Sequence, residues 1–115
     1  MRIEEAAVVF TLRIRLKEDK LEDFKAYVEE AFPVFEKDGD CLGMVYSLEN
    51  SAFLDEVFFY ASEEAFRKAN WSVEHDPVQV RLLKSWHALL AAPPEVSIAR
   101  PFPRSHLEKR DELSL

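Results

Sequence analysis

Residues 53–90 read FLDEVFFYASEEAFRKANWSVEHDPVQVRLLKSWHALL, and how this stretch divides decides the fold. Its first eight residues are large and apolar apart from Asp55 and Glu56, the composition of a strand covered on both faces. Ser62 then supplies a helix cap, with Glu63 and Glu64 placed against the dipole of the first turn. Residues 70–76 are expected to break that helix. Asp76-Pro77 starts another, a cap followed by proline at the first helical position. This last helix runs to about Ala91, where Pro93-Pro94 stops it.

Working upstream, residues 41–48 (CLGMVYSL) form a strand with Leu42, Met44, Tyr46 and Leu48 on one face. The short link Glu49-Asn50-Ser51 makes this strand and the 53–60 strand an antiparallel hairpin. Before it, Leu21, Phe24, Val28, Ala31, Phe32 and Phe35 recur at helical steps of three and four, a stripe suited to packing on a sheet. Asp19 with Glu22 reads as a capping box for that helix. Pro33 should kink or weaken its last turn, and Gly39 suits the left-handed residue that closes it. Residues 7–16 (AVVFTLRIRL) are a β-branched strand, with Val8, Phe10, Leu12, Ile14 and Leu16 on one face. Downstream, residues 96–102 (VSIARPF) read as a short strand whose prolines place it at a sheet edge.

The order is β-α-β-β-α-β, an α+β, ferredoxin-like fold with a four-stranded antiparallel sheet. Residues 1–103 form this domain. Residues 104–115 are a charged tail, frayed or docked on a partner. Val9, Val45, Val57 and Phe59 fall on positions facing away from the helices. Each is worth roughly 1.5–3 kcal/mol when buried. The simplest cover is the same face of a second copy, so a homodimer through the sheet face is expected.

Composition sets the outer limits. At 115 residues the chain holds one domain with one core. A net charge of −7 argues against nucleic-acid or anionic-membrane partners, both of which need clustered Lys and Arg. A single cysteine, Cys41, excludes an internal disulfide framework and fits a reducing cytosol. The start MRIEEAAVVF carries two acids and no small-residue cleavage site, unlike a secretory signal. The apolar runs are far shorter than a membrane span. A cytoplasmic protein is expected. With glycine only at 39 and 43, no phosphate-cradling loop can be built. The histidines are too far apart in sequence to suggest a metal site.

Two motifs carry a resemblance: the joint Gly39-Asp40-Cys41-Leu42, and Tyr60-Ala61-Ser62-Glu63-Glu64-Ala65-Phe66. With the strand-helix-strand opening, they resemble the antibiotic biosynthesis monooxygenase family of dimeric α/β-barrel proteins over about residues 7–102. The resemblance implies two chains forming a dimeric α/β barrel, with a cleft between sheet and helices in each. Members include cofactor-free monooxygenases of aromatic polyketides, quinol oxidases and haem-degrading enzymes. The family often has a glutamate where this chain has Phe58, and a histidine where it has Ala69. The asparagine and axial histidine of the haem-degrading branch fall at Leu12 and near Gln79, which disfavours haem chemistry.

His75 lies where relatives carry a Ser-x-His-like element, here Ser72-Val73-Glu74-His75. At a cleft mouth its imidazole would serve as general base; the plainer reading is a surface histidine between helices. Trp71 would wall or lid an apolar ligand, or plug a gap between helices. Tyr60 would orient a substrate oxygen, or simply pack. Phe10, Leu12, Phe58 and Trp86 would line the cleft or fill it. Trp86 reads as core and His87 as its edge. Arg13, Arg15, Asp55 and Glu56 would bind an anionic ligand or form cross-strand ion pairs, and Cys41 is a small buried hydrophobe.

The resemblance implies a small oxygenase or isomerase acting without a bound cofactor on a small hydrophobic or aromatic ligand. It would deprotonate an acidic phenol or enol in a dry pocket, and the anion would meet oxygen directly. The alternative is a non-catalytic dimeric ligand-binding or accessory protein. Leu12, Phe58 and Ala69 favour it, since each puts a hydrocarbon where relatives handle protons.

Overall fold

The structure, a computed structural model, describes residues 1–102. The tail expected at 104–115 lies outside the described residues. After a 3-10 turn at Ile3–Glu5 come β1 (Val8–Ile14), α1 (Leu21–Glu36), β2 (Cys41–Ser47), β3 (Leu54–Tyr60), α2 (Glu63–His75), α3 (Pro77–His87) and β4 (Glu95–Ala99). The strands form one antiparallel sheet in the order β2-β3-β1-β4. This is the ferredoxin-like α+β arrangement, with the second helical region drawn out as α2 and α3.

Strand alternation decides what each face of the sheet does. Val8 and Ile14 of β1, with Phe58 and Tyr60 of β3, share one core with Phe24, Ala31 and Phe32 of α1, Phe66 of α2, and Leu82 and Trp86 of α3. Gly43 lets α1 lie close on β2: a Cβ there would stand 2.8 Å from Cδ2 of Phe32 and 3.1 Å from Cε1 of Phe58. The Glu36 carboxylate accepts from the Gly43 N–H at 2.9 Å and ties the end of α1 to the same strand. The turn between them uses Gly39 at φ 75°, the left-handed closure expected of it.

On the opposite face Val57 and Phe59 cluster with Ala6, Val9 and Leu42. Val57 and Phe59 are only 8% and 9% exposed in the single chain, because the segment before β1 folds onto them. Val45 does not join this face. It stands opposite Glu56 and packs against the helix-side core. The residues of β2 left facing outward are Met44 and Tyr46, 37% and 45% exposed.

Helix ends carry further corrections. Asp19 is no cap: it sits at φ 61°, a left-handed conformation its short polar side chain tolerates, and α1 starts two residues later. Pro33 lies within α1, which continues to Glu36. Ser62 caps α2 through Oγ, accepting from the Ala65 N–H at 3.0 Å. The break expected over 70–76 is confined to Asp76. α2 runs through Trp71 to His75 because Phe66, Ala69 and Val73 keep its inner face against the core and cavity. Asp76 Oδ1 then accepts from the N–H groups of Val78 and Gln79 at 2.9 and 3.2 Å, opening α3. α3 stops at His87, and Leu90 instead pairs with Leu16. β4 is the expected sheet edge, exposed along its length, but ends at Ala99, before Pro101, and not at Phe102. Among the described residues, no helix is long and apolar enough to cross a membrane.

Candidate functional site

The helix side of the sheet is not completely filled. A cavity of about 280 Å³ lies between β1, β3 and the three helices, a volume near the lower end of small-molecule sites. Its floor follows from alternation: Phe10 and Leu12 from β1, and Glu56, Phe58 and Tyr60 from β3, all point the same way. Tyr27 and Phe35 of α1, Ala69 and Val73 of α2, and Leu83 and Trp86 of α3 close the walls. Aromatic contacts fix the floor, with Phe58 edge-on to Phe35 at 5.8 Å and tilted on Phe32 at 5.1 Å. Phe10 and Tyr60 both rest on Phe66, at 5.7 and 5.3 Å.

One ionisable group reaches deep into this apolar space. Glu56 is 1% exposed and stands between Leu12 of β1 and Val45 of β2. Trp86 donates its indole N–H to Oε2 at 2.5 Å. Oε1 has no hydrogen-bond partner among the described residues, and the side chain lines the cavity. Burial pushes the Glu56 carboxyl up to about 7, against the opposing pull of the Trp86 hydrogen bond. A carboxyl of that strength exchanges protons readily near neutral pH.

The neighbouring hydroxyl and thiol behave differently. Burial, and then the charge of Glu56, raise the Tyr27 phenol well above its usual range. Tyr60 is raised likewise, by burial first and then by Cys41 beside it. Burial pushes the Cys41 thiol up to about 12. These three stay protonated near neutrality, so Tyr27 and Tyr60 can donate to a ligand oxygen but not take its proton.

The expected site residues are thus partly gathered. Tyr60, Phe10, Leu12, Phe58 and Trp86 all line the cavity. His75 and Trp71 do not. Because α2 continues through this segment, both side chains lie on its outer surface, stacked at 4.5 Å between ring centroids, with His75 Nδ1 2.8 Å from the Trp71 carbonyl oxygen. Trp71 is 60% exposed. His87 is also exposed, edge-on to Trp86 at 4.9 Å. Glu56, expected with Arg13, Arg15 and Asp55 to bind an anionic ligand or form a cross-strand ion pair, lies instead on the helix side of the sheet. Its neighbour Asp55 fills that role, with Arg13 Nε and Nη2 donating to its two oxygens at 2.9 and 3.1 Å on the outer face. The missed signal was parity, since Glu56 shares the alternation of Phe58 and Tyr60. Among the described residues no group of three or more His, Cys, Asp or Glu side chains is gathered to hold a metal.

No family model matches the chain, and no curated protein matches it. Solved structures do. A conserved protein from Methanosarcina mazei Go1 superposes with a TM-score of 0.72 at 18% identity, over 87% of this chain and 97% of that one. The ActVA-Orf6 monooxygenase of Streptomyces coelicolor, solved with nanaomycin D, gives 0.70 at 13% identity, over 89% and 95%. A Nitrosomonas europaea chain assigned provisionally as an antibiotic biosynthesis monooxygenase gives 0.67 at 11% identity, over 83% and 98%. At these identities the likeness is one of fold. The same fold is seen in structures assigned provisionally as antibiotic biosynthesis monooxygenases and in NIPSNAP family proteins.

Proposed function

We propose that the protein binds a small, mainly apolar and aromatic ligand between sheet and helices and oxidises it as a cofactor-independent monooxygenase, with Glu56 as general base. The observation that carries this reading is the Glu56 carboxyl, held by Trp86 through one oxygen and open to the cavity through the other. Glu56 takes the role expected of His75, because His75 faces away on α2. Phe10, Leu12 and Phe58 press on the ligand rings, and Tyr60 donates to a ligand oxygen.

An anthrone-like ligand illustrates the step. Its ring methylene loses a proton to Glu56, and the enolate gives an electron pair to dioxygen. A carbon–oxygen bond forms, the terminal oxygen takes up a proton, and loss of water from the hydroperoxide leaves a ketone. One oxygen atom enters the product and the other leaves as water. The protein contributes position, a proton acceptor and a site poor in water.

Oxygen uptake with a panel of anthrones and quinols tests the assignment. Glu56→Gln keeps the acceptor for Trp86 and removes the base, so turnover should fall on the order of 100-fold or more. His75→Ala should retain wild-type turnover. A Glu56→Gln protein with full activity would overturn the assignment. The second reading, a binding protein without chemistry, draws on the hydrocarbon lining at Leu12, Phe58 and Ala69. It predicts ligand binding with no oxygen uptake across the panel.

A further inference from the structure

We infer that the cavity sorts ligands by charge, taking neutral or cationic apolar molecules and rejecting their carboxylates. The inference rests on the proposed ligand site and names the ligand class that site would accept.

Lys68 and the helix N-termini at the cavity, groups that ordinarily receive an anion, are already engaged. Two lysines line the cavity, Lys37 and Lys68. The ammonium of Lys68 is bridged between Asp38 at 2.7 Å and Asp40 at 3.5 Å, which clasps α2 to the joint between α1 and β2 at the cavity rim. Helix N-termini are the other common anion receptors. Both that approach this cavity spend free N–H groups on their own caps, Ser62 for α2 and Asp76 for α3. What the cavity offers instead is acidic. Asp38, Asp40 and Asp76 line it, and Glu56 presents an unpartnered oxygen from its floor.

An entering carboxylate would therefore lose its water, meet no cation beside Glu56 among the described residues, and stand near that carboxyl. Loss of hydration without a compensating partner is the most unfavourable fate of a buried charge. A hydroxyl or amino group meets Glu56 Oε1 as a donor to an acceptor, and an ammonium adds charge complementarity. The deep carboxylate and the occupied rim lysine act in the same direction.

Titration calorimetry with three probes of matched shape tests this: naphthylmethanol, naphthylmethylamine and naphthoate. The alcohol and the amine should each bind on the order of tenfold or more tightly than naphthoate. Glu56→Gln should weaken the amine severalfold more than the alcohol, because the amine loses charge complementarity as well as an acceptor. The surface pair Asp38→Asn with Asp40→Asn frees Lys68 and should tighten naphthoate severalfold, a readout independent of any change in the core. Naphthoate binding as tightly as the alcohol and amine would overturn the charge selection and leave the ligand site standing. Failure of all three probes to bind would overturn the site itself, and the inference with it.

Discussion

Glu56 is opposed by Leu12 on one side and Val45 on the other, so the strand ladder alone holds its carboxyl under the helices with a single indole donor. Such a site stabilises the protonated form. The folded protein keeps this proton up to about pH 7, while the unfolded chain releases it near the ordinary value of 4.5. Between those values the unfolded state binds fewer protons, so stability falls as pH rises, and it stays lower above the window. The difference is worth roughly 3 kcal/mol. Glu56→Gln has no such titration. Its thermal midpoint should match wild type near pH 5 and exceed it near pH 8, where a general base would be ionised and active. Parallel melting curves across that range would contradict the burial argument. At this scale the sequence supplied the residue types and most of the cavity lining, but not the burial of Glu56. Asp55 and Glu56 are adjacent acids in one strand, and only the face each occupies separates a surface ion pair from a buried proton acceptor. Parity was ambiguous there because both faces of β3 are apolar, one toward the helices and one toward Ala6, Val9 and Leu42.

Among the elements, the α2–α3 joint positions most of the cavity wall. Asp76 ends one helix and caps the next, its backbone N–H donating to the Ser72 carbonyl oxygen at 2.8 Å while its side chain takes two N–H groups of α3. Asp76→Ala should cost about 1 kcal/mol, with about twice that as the ceiling for a cap of this kind. A loss of that size lowers the melting midpoint by roughly 4–8 °C. It should weaken ligand binding too, since Gln79 and Trp86 sit on the helix so anchored. Unchanged melting would mean that water replaces the cap without penalty. Both caps, Ser62 and Asp76, were legible as residue types in helix-start positions. The length of α2 was not. Asn70, Trp71 and Ser72 are weak helix formers, and local propensity suggested a break there. Tertiary packing of Phe66, Ala69 and Val73 overrides that preference. That single difference rotates His75 and Trp71 out of the site.

Across the whole molecule, the sheet has one face under helices and one that the single chain only partly covers. The topology was readable because each strand is a distinct apolar run and the hairpin link between β2 and β3 is short. The extent of the bare face was less so, since the segment at Ala6 shields Val57 and Phe59, and Val45 turns inward. What remains uncovered is Met44 and Tyr46 on the outer side of β2, with Phe53 at 38% exposure next to its hairpin. Each is already more than half buried, so full burial would add about 1 kcal/mol apiece. We therefore propose a homodimer through this outer face, with β2 near its centre and the Arg13–Asp55 pair flanking it. Light scattering at micromolar concentration should give about twice the 13.4 kDa of one chain. Tyr46→Lys, on a residue already 45% exposed, should leave the fold intact by circular dichroism and return the mass of a single chain. A wild-type monomer at that concentration would sink the dimer. So would a dimer that tolerates lysine at position 46, because two like charges facing each other across a symmetric interface would repel.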